Sequence, residues 1–150
     1  MTTGTERLPR PGFVTVQTTA PYWEAAADGT LLLQRCKPAG HLQHYPRSIC
    51  ATCWSNDLAW QHACGRGTVW AFTVVHMPGH AAWRDEVPYT LALVELEEGP
   101  RLMTNVVGAD PETVHVGMAV ELAAERDTSG PQPLLQFSPV HPAESSSQVP

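Results

Sequence analysis

A chain of 150 residues and 16.3 kDa holds one domain or two very small ones, which excludes a large multidomain enzyme. With 43% hydrophobic and 16% charged residues, 14 Pro and 11 Gly, it reads as globular, rich in turns and poor in long helices. The formal charge of −6 is uneven: residues 1–62 carry five basic and four acidic groups, residues 63–140 four basic and ten acidic ones. That second half has the wrong sign for a surface that must exchange counterions with phosphates, so nucleic acid is not an expected partner.

The longest uncharged apolar run, Thr68 to Val75, falls far short of the roughly 20 residues a membrane-spanning helix needs. The N-terminal MTTGTERLPRPG carries no apolar signal core, so the chain is read as cytoplasmic, with no membrane partner. Without a secretory signal, the four cysteines (Cys36, Cys50, Cys53 and Cys64) point to metal or plain thiols rather than disulfides.

In chain order, residues 1–18 are polar, punctuated by proline and aperiodic, an expected extended arm. Thr19 as cap, Pro21 in the first turn, Ala25-Ala26-Ala27 and the Gly29 stop predict a short helix. Its Tyr22 and Trp23 are read either as pins that hold the helix to its neighbour or as a partner-docking patch. Short strands follow at Leu31–Arg35, Leu42–Tyr45 and Leu58–Gln61, separated by cysteine-bearing turns, in a 19–62 module too poor in large apolar residues for a core of its own. From Gly65 the strand signals become regular: Thr68–Val75, Tyr89–Leu96, Arg101–Val107, Gly117–Ala123 and Leu134–Phe137, with a helical turn at Asp110–Thr113 between the third and fourth. This mainly β pattern over 63–138 fits a five-stranded OB-type barrel, with an SH3-like barrel or open sandwich as alternatives. Residues 139–150, with Ser145-Ser146-Ser147, read as a disordered tail.

Cys36-Lys37-Pro38-Ala39-Gly40 and Cys50-Ala51-Thr52-Cys53 look like the two knuckles of a zinc ribbon, where paired thiolates two residues apart converge on a tetrahedral ion. Ala39 stands where the fourth cysteine belongs. His41, His44, Cys64 or a water could supply the missing ligand; alternatively the site is vestigial and its cysteines are small buried hydrophobes. A zinc bound here would be structural, because no acid or base stands beside it. His76 and His80 are four apart, but Pro78 and Gly79 make their segment a loop. With Trp83 it forms a long connection, where a small barrel would carry contacts to substrate or partner. No nucleophile elbow or phosphate loop is present, so no catalytic residue is assigned.

Several runs together resemble a known family: Pro21-Tyr22-Trp23-Glu24, Leu32 to Cys36, Pro46 to Cys53, Gly65 to Val69, Phe72 to His76, Val87-Pro88-Tyr89, Leu93 to Arg101 and Val116 to Val120. Over roughly residues 20–138 the chain is similar to the acyl-CoA-associated OB-fold family with an N-terminal rubredoxin-like zinc ribbon. The resemblance implies Cys36, Cys50 and Cys53 as zinc ligands, with Ala39 a departure from the pattern. It also implies a non-catalytic accessory subunit whose ribbon and helix dock on a thiolase-like or ketosynthase-like partner and whose barrel helps form the acyl-CoA site. The other classes carried forward are a nucleic-acid-binding ribbon and barrel, and a stand-alone acyl-CoA thioesterase or lyase using His76 or His80.

Overall fold

The computed structural model describes residues 8–125 and 127–140. The first seven positions of the expected arm and residues 141–150 of the expected tail lie outside that range.

Helix α1 (Ala20–Ala27) begins with Pro21 in its first turn and ends as Gly29 turns left-handed at φ 77°. Thr19 occupies the cap position without capping: its hydroxyl instead donates back to the Val16 carbonyl at 3.1 Å. Tyr22 and Ala26 are the buried residues of this helix.

Strands β1 (Leu32–Cys36), β2 (Leu42–Gln43) and β3 (Leu58–His62) form an antiparallel sheet in the order β2-β1-β3. The middle strand buries Leu32, Leu33, Gln34 and Cys36 and exposes only Arg35. Both knuckles hang from the cysteine end of this sheet. The second strand stops at Gln43, two residues earlier than expected, because His44 turns to pack against Tyr22 and Tyr45 packs against His44.

The remaining strands are β4 (Arg66–Val75), β5 (Tyr89–Leu96), β6 (Arg101–Val106), β7 (Ala119–Leu122) and β8 (Phe137–Pro139). They close a barrel in the order β4-β5-β6-β8-β7 and back to β4. Three consecutive antiparallel strands, a parallel β6–β8 closure and a 3-10 turn at Pro111–Thr113 make this an OB-fold. The register of β5 with β6, Leu93 opposite Met103 and Val94 opposite Leu102, buries every second residue of β5. The last strand starts at Phe137 rather than Leu134, which makes only an isolated bridge to Asp127. Phe137 is wholly buried, a burial of the order of 2–3 kcal/mol.

Leu31, Leu32 and Leu33 from the ribbon, Tyr22 and Ala26 from α1, and Val69, Val94, Val120 and Phe137 from the barrel belong to one continuous core. The ribbon's apolar deficit is therefore met by the barrel.

Candidate metal centre

Cys36 leaves β1 into a tight turn in which the Gly40 N–H donates to the Cys36 carbonyl at 2.7 Å and the Cys36 N–H to the His41 carbonyl at 2.8 Å. Gly40 takes φ 72°, and this left-handed step carries His41 back over the cysteine. Across from it, the Cys50 N–H donates to Ser55 O at 2.8 Å and the Trp54 N–H to Cys50 O at 3.1 Å, closing the second knuckle. Trp54 sits there at φ 64°, in a region that an aromatic side chain rarely enters, and is 75% exposed.

The two turns bring Cys36, His41, Cys50 and Cys53 together, with their ligand atoms all within 4.8 Å of one another. Cys36 Sγ and Cys53 Sγ are 3.4 Å apart; Cys50 Sγ and His41 Nδ1 are 3.6 Å apart. Four donors bound tetrahedrally at about 2.0–2.3 Å would stand roughly 3.3–3.8 Å from one another, so the donor set suits a closed four-coordinate ion. The position lost at Ala39 is met by His41. Of the other candidates, His44 faces Tyr22 and Tyr45, and Cys64 lies beside Arg66, Glu97 and Glu98 on the barrel.

The surroundings favour the thiolate at Cys50 and disfavour it at Cys36. The N–H groups of Cys53 and Thr52 point at Cys50 Sγ and pull that thiol down to about 6, whereas burial pushes the Cys36 thiol up. Behind the second knuckle is an amide relay that the sequence did not signal. Gln43 Oε1 accepts from Ala51 N at 2.8 Å, and Gln43 Nε2 donates to Gln34 Oε1 at 2.8 Å and to Ile49 O at 3.2 Å. Gln34 in turn holds the Arg47 N–H and carbonyl at 2.7 and 3.0 Å. Both glutamines are buried, so these bonds fix the loop that carries Cys50.

The loop residues are placed separately. His76 and Pro78 lie on the bend that leaves β4. His80 Nδ1 accepts from Ala82 N at 3.1 Å and so caps a 3-10 helix, Ala81–Glu86, where an irregular loop was expected. Trp83, on that helix, lies edge-on to His80 and under Arg10, and lines a cavity of about 460 Å³ at the barrel mouth. Tyr89, Asn105 and Gln136 line it too, as does Thr90, whose buried hydroxyl has no partner among the described residues. Arg10, from the N-terminal arm, pairs with Glu86 and Asp127 and ties the arm across this mouth. Tyr22 is buried, and burial together with nearby Tyr45 pushes its hydroxyl up to about 12, so it packs α1 instead of presenting a surface. Trp23 is half-buried between Tyr22 and Phe13.

Comparison with known proteins follows the same division of the chain. Residues 23–59 match the family described as "ChsH2, rubredoxin-like zinc ribbon domain", and residues 60–125 match "ChsH2, C-terminal OB-fold domain". A "DUF35 domain-containing scaffold protein" of Pyrococcus furiosus is 32% identical over 105 residues, which cover 70% of this chain and 76% of the relative. The chain belongs to the ChsH2/DUF35 family. A "Probable enoyl-CoA hydratase alpha subunit" of Thermomonospora curvata is 41% identical over 126 residues; the match takes in 83% of this chain but only 38% of that protein. A solved structure described as "Ltp2-ChsH2(DUF35) aldolase" superposes with a TM-score of 0.74 at 39% identity, covering 87% of this chain and 98% of the solved one. No helix among the described residues is long and apolar enough to cross a membrane.

Proposed function

We propose that this protein is a non-catalytic accessory subunit that binds a thiolase-superfamily partner and helps form its site for acyl-CoA or a related thioester. The observation that carries the reading is the likeness to a solved chain, over 98% of that chain's length, in a structure described as "Ltp2-ChsH2(DUF35) aldolase". The scaffold name of the Pyrococcus furiosus relative and the subunit name of the Thermomonospora curvata one point the same way. His80, one of the two histidine candidates for independent chemistry, commits its Nδ1 to a helix cap.

In this reading Cys36, His41, Cys50 and Cys53 hold a zinc ion. Zinc in a closed Cys3His set supplies structural cross-linking, not Lewis-acid chemistry. The chain's own contribution is to fix the donors: Gly40 turns His41 inward, and Gln43 and Gln34 hold the second knuckle.

Co-expression with the thiolase-like protein encoded beside its gene tests the proposal. A stable complex with acyl-CoA turnover that neither chain shows alone is the expected outcome. Failure of the purified protein either to bind or to activate that enzyme would overturn the reading. Metal analysis should give one zinc per chain, lost in Cys50→Ser.

A further inference from the structure

The long strand β4 is covered on one side by β5 along its whole length, from Gly67 opposite Leu96 to Val75 opposite Tyr89. On the other side β7 pairs only with Arg66, Gly67 and Thr68, and the ladder ends where Val69 exchanges bonds with Gly117 and Met118 at 2.8 and 2.9 Å. Beyond a bulge between Val69 and Ala71, the edge of residues 71–75 meets no strand among the described residues. Alternate N–H and C=O groups there lack a neighbour among the described residues, although backbone polar groups of this kind are normally paired.

Natural edge strands are usually guarded by lysine, proline, an inward-pointing charge or a bulge. The bulge here ends at Ala71; Ala71-Phe72-Thr73-Val74-Val75 beyond it carries no lysine, proline or charge, and Phe72 and its neighbour Trp70 are 37% and 47% exposed. The rows that continue from this edge across the sheet, Ala71–Leu93–Met103 and Thr73–Leu91–Asn105, are uncharged. The nearest charges on that face, Glu95 and Arg101, bond each other at 2.6 Å. An uncharged edge with β-strand composition fits another strand better than it fits water.

We infer that residues 71–75 pair with the same residues of a second copy of this chain, antiparallel, to make a twofold dimer with a continuous six-stranded sheet. The sequence of the edge carries the choice of occupant. A twofold axis normal to a sheet keeps each face on its own side, so an edge can pair with itself only in registers centred on one residue. Centred on Thr73, the free stretch is used from end to end: Thr73 faces Thr73, Phe72 faces Val74 twice, and Ala71 faces Val75 twice. Thr–Thr and aromatic–β-branched pairs are favourable cross-strand neighbours, and no like charges oppose each other. The bulge ends the pairing on one side and His76-Met77-Pro78 on the other. This inference is independent of the accessory-subunit reading.

Sedimentation velocity on the purified full-length chain, from micromolar to near-millimolar concentration, tests it. The expected species has twice the 16.3 kDa chain mass. Thr73→Lys places two ammonium groups face to face on the axis and should weaken association about tenfold or more; Thr73→Val should leave it intact. Thr73 is exposed, so the lysine has room, and an unchanged circular dichroism spectrum checks the fold. Hydrogen exchange on the unaltered protein gives a second reading, with amides in 71–75 protected at high concentration and exposed on dilution. A monomer at every concentration would overturn the inference, as would a Thr73→Lys dimer as tight as the original. An edge that becomes protected only when the thiolase-like protein is added would assign it to a heterologous strand instead.

Discussion

Burial against the aromatic rings of Tyr22 and Tyr45 pushes His44 down to about 4 from an ordinary value near 6.5. The folded state therefore holds a neutral imidazole that the unfolded chain would protonate first. The associated stability is fully present above about pH 6.5 and is lost as pH falls from there toward 4, a loss of up to about 3 kcal/mol. Metal ligands also protonate in acid, so the comparison that isolates this group is between the native protein and His44→Phe. Urea unfolding at pH 7 and at pH 4.5 should show a smaller loss in the variant; equal losses would mean that the ring is solvated. From the sequence, His41 is the expected fourth ligand with His44 as an alternative, since both follow Gly40 within four residues. Their roles diverge because the left-handed turn at Gly40 directs His41 to the cysteines, while the chain beyond Gln43 bends toward α1. Cys36, Cys50 and Cys53 were legible because knuckle spacing is a local geometric property. Gln34 and Gln43 were not, because nothing local marks a strand glutamine as the support of a distant loop.

Among the elements, Gly67 shows where close packing limits the barrel. A Cβ built on it would lie 2.4 Å from the Glu95 carbonyl oxygen and 2.8 Å from Val94 Cγ1, and backbone of the neighbouring strand has no room to move. Gly67→Ala should therefore destabilise the barrel by about 1–3 kcal/mol through overpacking. A lower urea midpoint with an unchanged slope would report this; an unchanged midpoint would mean that β4 and β5 separate more easily than their register suggests. The barrel strands were readable from β-branched and aromatic runs, and the turn at Pro111–Thr113 from Asp110, whose carboxylate accepts from Glu112 N at 3.0 Å. The helix at Ala81–Glu86 was not readable. It has no apolar period, and its supports are the His80 ring and Arg10, one before the helix and one 76 residues from Glu86. The same tertiary origin explains the displaced final strand: Leu135 is held by its carbonyl, which accepts the Thr104 hydroxyl at 2.9 Å, and regular pairing with β7 starts at Phe137.

At the scale of the whole molecule, ribbon and barrel read as two modules in the sequence but share a single hydrophobic cluster. The two descriptions make opposite statements about losing the metal. If the ribbon were held by its ion alone, chelation would melt residues near the knuckles while the barrel unfolded later at its own temperature, giving two transitions. With Leu31, Leu32 and Leu33 buried alongside Val69, Val94 and Phe137, the sheet that carries the knuckles stays anchored when the ion leaves. Stability should then fall for the chain as a unit. For free zinc at about a thousand times its dissociation constant, the lost linkage is about 4 kcal/mol, and for a chain of this size that lowers the melting temperature by roughly 8–16 °C. Calorimetry with and without a chelator should show one cooperative transition in both cases, displaced downward in the second. Two resolved transitions after chelation would show that the shared core is too weak to couple the ribbon to the barrel. An unmoved single transition would show that the Cys3His cluster contributes no stability through a metal.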